Sequence, residues 1–261
     1  MMGCLNILSG YSTNSSQKIS DGLNILVVNL MPNRVETEQQ IVNLVKATNQ
    51  NINLTFCRMA THQIKHFDPT FTQKYVTTKE VYNQSFDAMI VTGAPVDNLD
   101  FQDVDYFNEL KELLDWRKTH VSTCIFSCWS AWAAGTIDGA LHGHHVKNKI
   151  YGVYNTKNIT MPHSRFFKVP LDEVNAELVA GNEEIGATVV FNAKYDSYYV
   201  TGHLEYATDT LSNEYFRDVH KGLHPKQPVD YFDPELHPTN HWRQSAIKFY
   251  QHWLNQPVLT K

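Results

Sequence analysis

Short apolar runs alternating with stretches of helical spacing constrain this chain more than any other feature. Residues 23–29 (LNILVVN), 52–58 (INLTFCR), 86–92 (FDAMIVT) and 121–127 (VSTCIFS) each read as a buried strand. After the first, Thr37 and Gln40 form a capping-box pattern, and Ile41, Leu44 and Val45 follow at helical spacing. Residues 104–116 place Val104, Phe107, Leu110, Leu113 and Leu114 on one helical face. Residues 129–135 (WSAWAAG) are small and apolar, suited to a helix packed closely on a sheet. Strand–helix alternation at this spacing implies βαβ units and a mostly parallel sheet. Right-handed crossovers then put helices on both faces, giving a doubly wound α/β fold. Further along, residues 187–193 and 197–202 predict a hairpin, and residues 208–219 and 239–255 predict helices.

Nothing splits the chain. The 261 residues show no linker, repeat or shift of composition, so a single domain over residues 1–261 is expected, with 1–22 as a short N-terminal extension. Hydrophobic residues make up 42% and charged residues 19%, which argues for a packed globule over disorder. A formal charge of −5 gives no bulk attraction for nucleic acid or anionic membrane. No apolar run approaches the roughly 18 residues of a membrane helix. The first basic residue is Lys18, so no secretory signal is expected. Four cysteines, at 4, 57, 124 and 128, suit reduced thiols in a cytoplasm.

Open parallel sheets bind ligands outside the carboxyl ends of their strands. Three groups of residues fall there: Gly93-Ala94-Pro95, Ser127-Cys128-Trp129 and Gly202-His203-Leu204-Glu205. Cys128 sits where a strand turns into a helix, as in a nucleophile elbow, and a helix N-terminus favours the thiolate. A buried structural cysteine is the bland alternative, and Cys124, four residues earlier within the strand, is read that way. The Cys124/Cys128 spacing lacks a second ligand pair, so no metal is expected. His203 and Glu205 are two apart, and on an extended segment both leave the same face. A carboxylate so placed can hold the imidazole in one tautomer as a general base. A surface histidine beside a solvated glutamate is the competing reading. The backbone N–H of Trp129 and the turn at Gly93-Ala94 are candidate oxyanion donors. Of the remaining histidines, His142, His144 and His145 read as a solvated loop, and His237 and His241 resemble a ligand pair only loosely.

Several stretches then recur together: Asn29-Leu30-Met31-Pro32, Glu36-Thr37-Glu38, Val91-Thr92-Gly93-Ala94-Pro95, Cys128-Trp129, Tyr151-Gly152-Val153-Tyr154, Pro162-His163-Ser164-Arg165, Gly202-His203-Leu204-Glu205-Tyr206 and Phe216-Arg217-Asp218-Val219. In this order, over residues 23–255, the chain resembles the homoserine O-acyltransferases, a family that includes O-succinyltransferases and O-acetyltransferases. The resemblance implies a class I glutamine amidotransferase-like, flavodoxin-like fold with a Cys-His-Glu triad. Carried over, Cys128 is the acyl-thioester nucleophile, His203 the proton acceptor and Glu205 its orienting partner. Lys149, Ser164 and Arg217 match positions that contact the amino-acid substrate. Trp129 and Ala94 are assigned the backbone oxyanion hole. The resemblance implies no bound cofactor, acyl-CoA as co-substrate, and a place in methionine or other sulfur amino-acid biosynthesis. Family members are often homodimers, though no interface signature stands out here.

Asp97 occupies the position associated with the acyl donor. Succinyl-using members tend to have Gly there and acetyl-using members Glu. A carboxylate would repel the free carboxylate of a succinyl group, so acetyl-CoA is the expected donor and succinyl-CoA the second. The chain departs from the family in a shorter segment before residue 23, a shorter stretch from Tyr154 to Met161, and Asn33-Arg34 in place of a Lys pair. These changes leave L-serine as an alternative acceptor to L-homoserine, since one methylene is worth only about 1–3 kcal/mol. A glutaminase or cysteine hydrolase on the same fold is a second class, but the glycines that usually flank a glutaminase cysteine are absent around Cys128. A non-catalytic binding protein is a third, and has no chemical need for all three triad residues.

Overall fold

The computed structural model describes residues 3–63 and 69–256. Its centre is a nine-stranded sheet. In chain order the strands are β1 (Leu5–Ser9), β2 (Leu23–Val28), β3 (Ile52–Arg58), β4 (Val76–Thr77), β5 (Phe86–Val91), β6 (Val121–Ser127), β7 (His144–Thr156), β8 (Ile159–Lys168), β9 (Glu177–Asn182), β10 (Gly186–Asn192) and β11 (Ser197–Val200). The helices are α1 (Arg34–Lys46), α2 (Pro69–Lys74), α3 (Thr78–Val81), α4 (Phe107–His120), α5 (Trp129–Ile137), α6 (Thr210–His220) and α7 (Arg243–Leu254). The sheet order is β1-β3-β2-β5-β6-β11-β10-β9, with β4 pairing beside β3. Pairing is parallel from β1 through β11, and antiparallel only for β11–β10 and β10–β9. The fold is the expected doubly wound α/β arrangement.

The strands read as continuous apolar runs because both of their faces are covered. Alternate residues of β2 show this: Leu26 and Val28 pack with Leu110 and Leu113 of α4 and with α5, while Ile25 and Val27 pack with Ile41 and Leu44 of α1 and Tyr250 and Trp253 of α7. A third cluster of Tyr151, Val153, Tyr206, Leu211, Tyr231 and Trp242 fills the space between β7 and α6.

Three details differ from the sequence reading. The first 22 residues contribute β1, which extends the sheet beside β3. The chain just after β1 is tied down by Glu38, a fully buried carboxylate that accepts from the Tyr11 and Ser12 amides and from the Tyr75 hydroxyl. Thr37 and Gln40 do not cap α1. The helix starts four residues earlier with Asn33 at its N-cap, and the Gln40 amide donates instead to Thr210 Oγ1 of α6, at 2.8 Å. His144 and His145 lie not in a loop but at the start of β7, which forms a separate two-stranded hairpin with β8. No helix among the described residues is long and apolar enough to cross a membrane.

Candidate active site

The site grows from the C-terminal ends of β5, β6 and β11. Cys128 links β6 to α5 with φ 51° and ψ −118°, a backbone region that favours glycine. Its amide donates to the Val200 carbonyl at the end of β11 (2.7 Å), and its carbonyl accepts from Ala131 and Trp132. Ser130 fixes the turn from within: its hydroxyl binds the Val91 and Ser127 carbonyls and accepts from the Ser127 amide. Trp129 therefore stands at the first helical position, where an N–H has no intrahelical acceptor. Ala94 lines the same cavity as Cys128.

β11 delivers the histidine. Three residues past its end, His203 is held by its amide on the Pro162 carbonyl (2.8 Å) and by its ring on Glu205, with Nδ1 2.7 Å from Oε1. Tyr206 stacks on the imidazole face at 4.0 Å between centroids. With Nδ1 committed to Glu205, Nε2 is the nitrogen left for the Cys128 thiol, which lines the same cavity. His203 is fully buried, which by itself would pull its pKa down. The Cys128 sulfur and the Glu205 carboxylate outweigh that and hold it well above the ordinary histidine value. The three side chains taken from the sequence as a triad are thus brought together, and the burial of His203 and Glu205 overturns the reading of a surface histidine beside a solvated glutamate. Cys124 is buried in β6, as expected of a core cysteine.

Cys128 and His203 open onto a cavity of about 340 Å³, lined also by Asp97, Lys149, Ser164, Glu214 and Arg217. All four residues expected to contact substrate or acyl group are therefore on its wall. The sequence reading missed Glu214, on α6, which organises the far side. Its Oε2 accepts from Ser164 Oγ (2.6 Å) and from Lys149 Nζ (3.3 Å), and its Oε1 from the Tyr206 hydroxyl (3.1 Å). Arg217, one helical turn on, pairs with Asp218 at 2.9 Å. Asp97 accepts from the Phe166 amide of β8 at 2.7 Å, which fixes its carboxylate at the cavity wall. His237 and His241 do not pair with each other. His241 faces Asp230, whereas His237 joins Asp233 and Glu235 in an exposed cluster whose ligand atoms lie within 4.8 Å of one another.

The homoserine O-succinyltransferase family profile matches residues 6–261. The chain belongs to that family. It is accordingly an acyltransferase, and the sequence resemblance holds across nearly its whole length. A protein of Leuconostoc mesenteroides named homoserine O-acetyltransferase is 40% identical over 245 residues, covering 88% of this chain and 80% of its own. A protein of the same name from Methanomassiliicoccus intestinalis is 38% identical over 256 residues, covering 90% and 84%. Among solved structures, a glutamine amidotransferase of Thermotoga maritima superposes with a TM-score of 0.52 at 11% identity, covering 89% of this chain and 94% of that one. That likeness concerns the fold alone, which is the class I amidotransferase type the sequence implied.

Proposed function

We propose that the protein moves an acetyl group from acetyl-CoA to the side-chain hydroxyl of L-homoserine, through a thioester on Cys128. The observation that carries this reading is one cavity that joins a Cys-His-Glu triad to an amino-acid-sized set of charges.

In the first half-reaction the Cys128 sulfur, its proton passed to His203, attacks the acyl carbonyl of the donor. The resulting oxyanion lies beside the Trp129 and Ala94 amides. The C–S bond to coenzyme A breaks, and the departing sulfur takes the proton from His203. One thioester replaces another at little free-energy cost. In the second half-reaction His203 takes the proton of the homoserine hydroxyl as its oxygen attacks the thioester, and Cys128 leaves. Glu205 keeps the imidazole oriented and stabilises its charged form.

The acceptor's own charges fit the far wall. Its ammonium faces Glu214, and its carboxylate faces Lys149 and Arg217, whose fork suits bidentate pairing. Asp97 supports acetyl over succinyl, because a second carboxylate would be driven from a wall that already carries one. The names of the relatives favour homoserine over serine and acetyl over succinyl. Such an ester is an activated amino acid, in keeping with a place in methionine synthesis.

Incubation with acetyl-CoA alone, followed by mass spectrometry, should show an acetyl adduct on Cys128, and its absence would remove the mechanism. An acceptor screen of homoserine against serine, with acetyl- and succinyl-CoA, then fixes both substrates by free-thiol release.

A further inference from the structure

Tyr206 is buried, lines the cavity together with Cys128 and His203, and has no part in the transfer steps above. The chain turns at residues 204 and 205, so positions 203 and 206 stand at the two ends of one turn and lie side by side. Leu204 anchors the turn in the core, and the Tyr206 carbonyl accepts from the indole of the fully buried Trp242 at 3.1 Å. The tyrosine ring is thereby set flat against the histidine ring, with centroids 4.0 Å apart and planes 14° apart. The hydroxyl on the same ring donates to Glu214 Oε1 at 3.1 Å. Burial, then the charge of Glu214, push this hydroxyl well above the ordinary tyrosine value, so it keeps the proton that it donates.

One ring thus touches both ends of the acceptor site. Its face meets the imidazole that takes the hydroxyl proton, and its oxygen meets the carboxylate that faces the ammonium. Each end has a further anchor: Glu205 for His203 at 2.7 Å, and Ser164 for Glu214 at 2.6 Å. A phenol has no freely rotating bond between its ring face and its oxygen, so a rigid group sets the gap between the base and the ammonium site. The face of an aromatic ring is also the negative side of its quadrupole, which favours the imidazolium that forms in each half-reaction. Serine is one methylene shorter than homoserine, so its hydroxyl and ammonium cannot span the same gap.

We propose that Tyr206 is a positioning residue with two ends. Its face holds the His203 imidazole, its hydroxyl holds Glu214, and its fixed span makes the site select acceptors by chain length, homoserine over serine. The acceptor end of this inference rests on the acyl-transfer reading above, whereas the base end needs only Cys128 and His203.

Two measurements on the wild type, Y206F and Y206L separate the ends, with folding checked by circular dichroism. One is the rate at which iodoacetamide alkylates Cys128, followed on the Cys128 peptide by mass spectrometry. The other is the ratio of kcat/KM for homoserine to that for serine, with acetyl-CoA as donor. Y206F keeps the face and loses the hydroxyl. Its alkylation should run at the wild-type rate, while the ratio should fall by about threefold or more, out of the roughly ten- to two-hundredfold that a methylene is worth. Y206L loses the face, and its alkylation should slow by about tenfold or more, as for a base freed from its place. An unmoved ratio in Y206F, or wild-type alkylation in Y206L, would overturn the proposal. So would equal slowing of alkylation in both variants, which is what a merely structural role would give. If Y206L does not fold, Y206F decides alone on the same two readouts. Should the wild type acetylate neither acceptor, the acyl-transfer reading falls and the chain-length selection with it, and the alkylation rates judge the base end by themselves.

Discussion

Gly93 and His203 are in direct apposition: a Cβ built on Gly93 would lie 3.0 Å from the imidazole Cε1, and 3.2 Å from the Cβ of Cys128. The ring has nowhere cheap to go, since Glu205 grips one edge and Tyr206 covers one face. Gly93→Ala must therefore displace the base from the nucleophile. The neighbour must give by a few tenths of an ångström, and since a 1 Å misplacement is worth about a hundredfold in rate, a loss of about threefold to tenfold is expected. Steady-state kinetics should show kcat down by about that factor with the KM for homoserine little changed. A wild-type kcat would mean that the imidazole does not need its place.

Glu214 is the partner of Ser164, Lys149 and Tyr206 at once. Glu214→Gln keeps the shape and removes the charge that faces the acceptor ammonium. A hydrogen bond to a charged group is worth about 1.5–3 kcal/mol, or roughly ten- to a hundredfold in affinity. The KM for homoserine should rise by that factor, while the acetyl adduct on Cys128 forms at the normal rate in single-turnover experiments. Slow adduct formation would instead assign Glu214 to the donor.

In the proposed reaction Asp97 sets the donor preference. Asp97→Gly removes the fixed carboxylate and frees the Phe166 amide that now binds it. Two like charges near 4 Å repel by about 1–4 kcal/mol between water and a protein surface. The ratio of kcat/KM for succinyl-CoA to that for acetyl-CoA should thus climb by about tenfold or more. An unchanged ratio would take the choice of acyl group away from this residue.

A buried carboxylate away from the cavity gives a pH signature. Glu109 of α4 accepts from the Ala60 and Thr61 amides and from the Thr61 and Thr78 hydroxyls. Burial alone would raise its pKa, but these donors outweigh it and the net direction is downward. A carboxylate depressed in the folded state stabilises above its unfolded value, near pH 4.3, and the gain disappears as pH falls through the folded value. Glu109→Gln should cost about 2 kcal/mol at pH 7. Denaturant melts of the two proteins should converge as pH drops below about 4. A gap that stays constant with pH would show that charge plays no part there.

What the sequence made legible follows from burial. β2, β3, β5 and β6 are covered on both faces, so they appear as unbroken apolar runs with matching boundaries. β1 and the β7–β8 hairpin escaped because their burial is intermittent. β7 carries His144, His145, Lys147 and Asn148 on exposed positions and has no apolar rhythm until Tyr151. The triad was readable because each member ends a recognisable strand. Glu214 was not, because a lone glutamate on an amphipathic helix looks solvated until β8 is folded against it. The Thr37/Gln40 pattern misled because both residues face inward, where Gln40 joins α1 to α6 instead of capping anything.

The backbone at Cys128 has a price beyond chemistry. A side chain held at positive φ typically costs on the order of 1–3 kcal/mol, and a glycine there would release that tension while abolishing the nucleophile. Heat tolerance and turnover therefore pull in opposite directions at this one position. A library screened only for survival at high temperature would drift toward robust, inert proteins unless growth or activity were demanded in the same round.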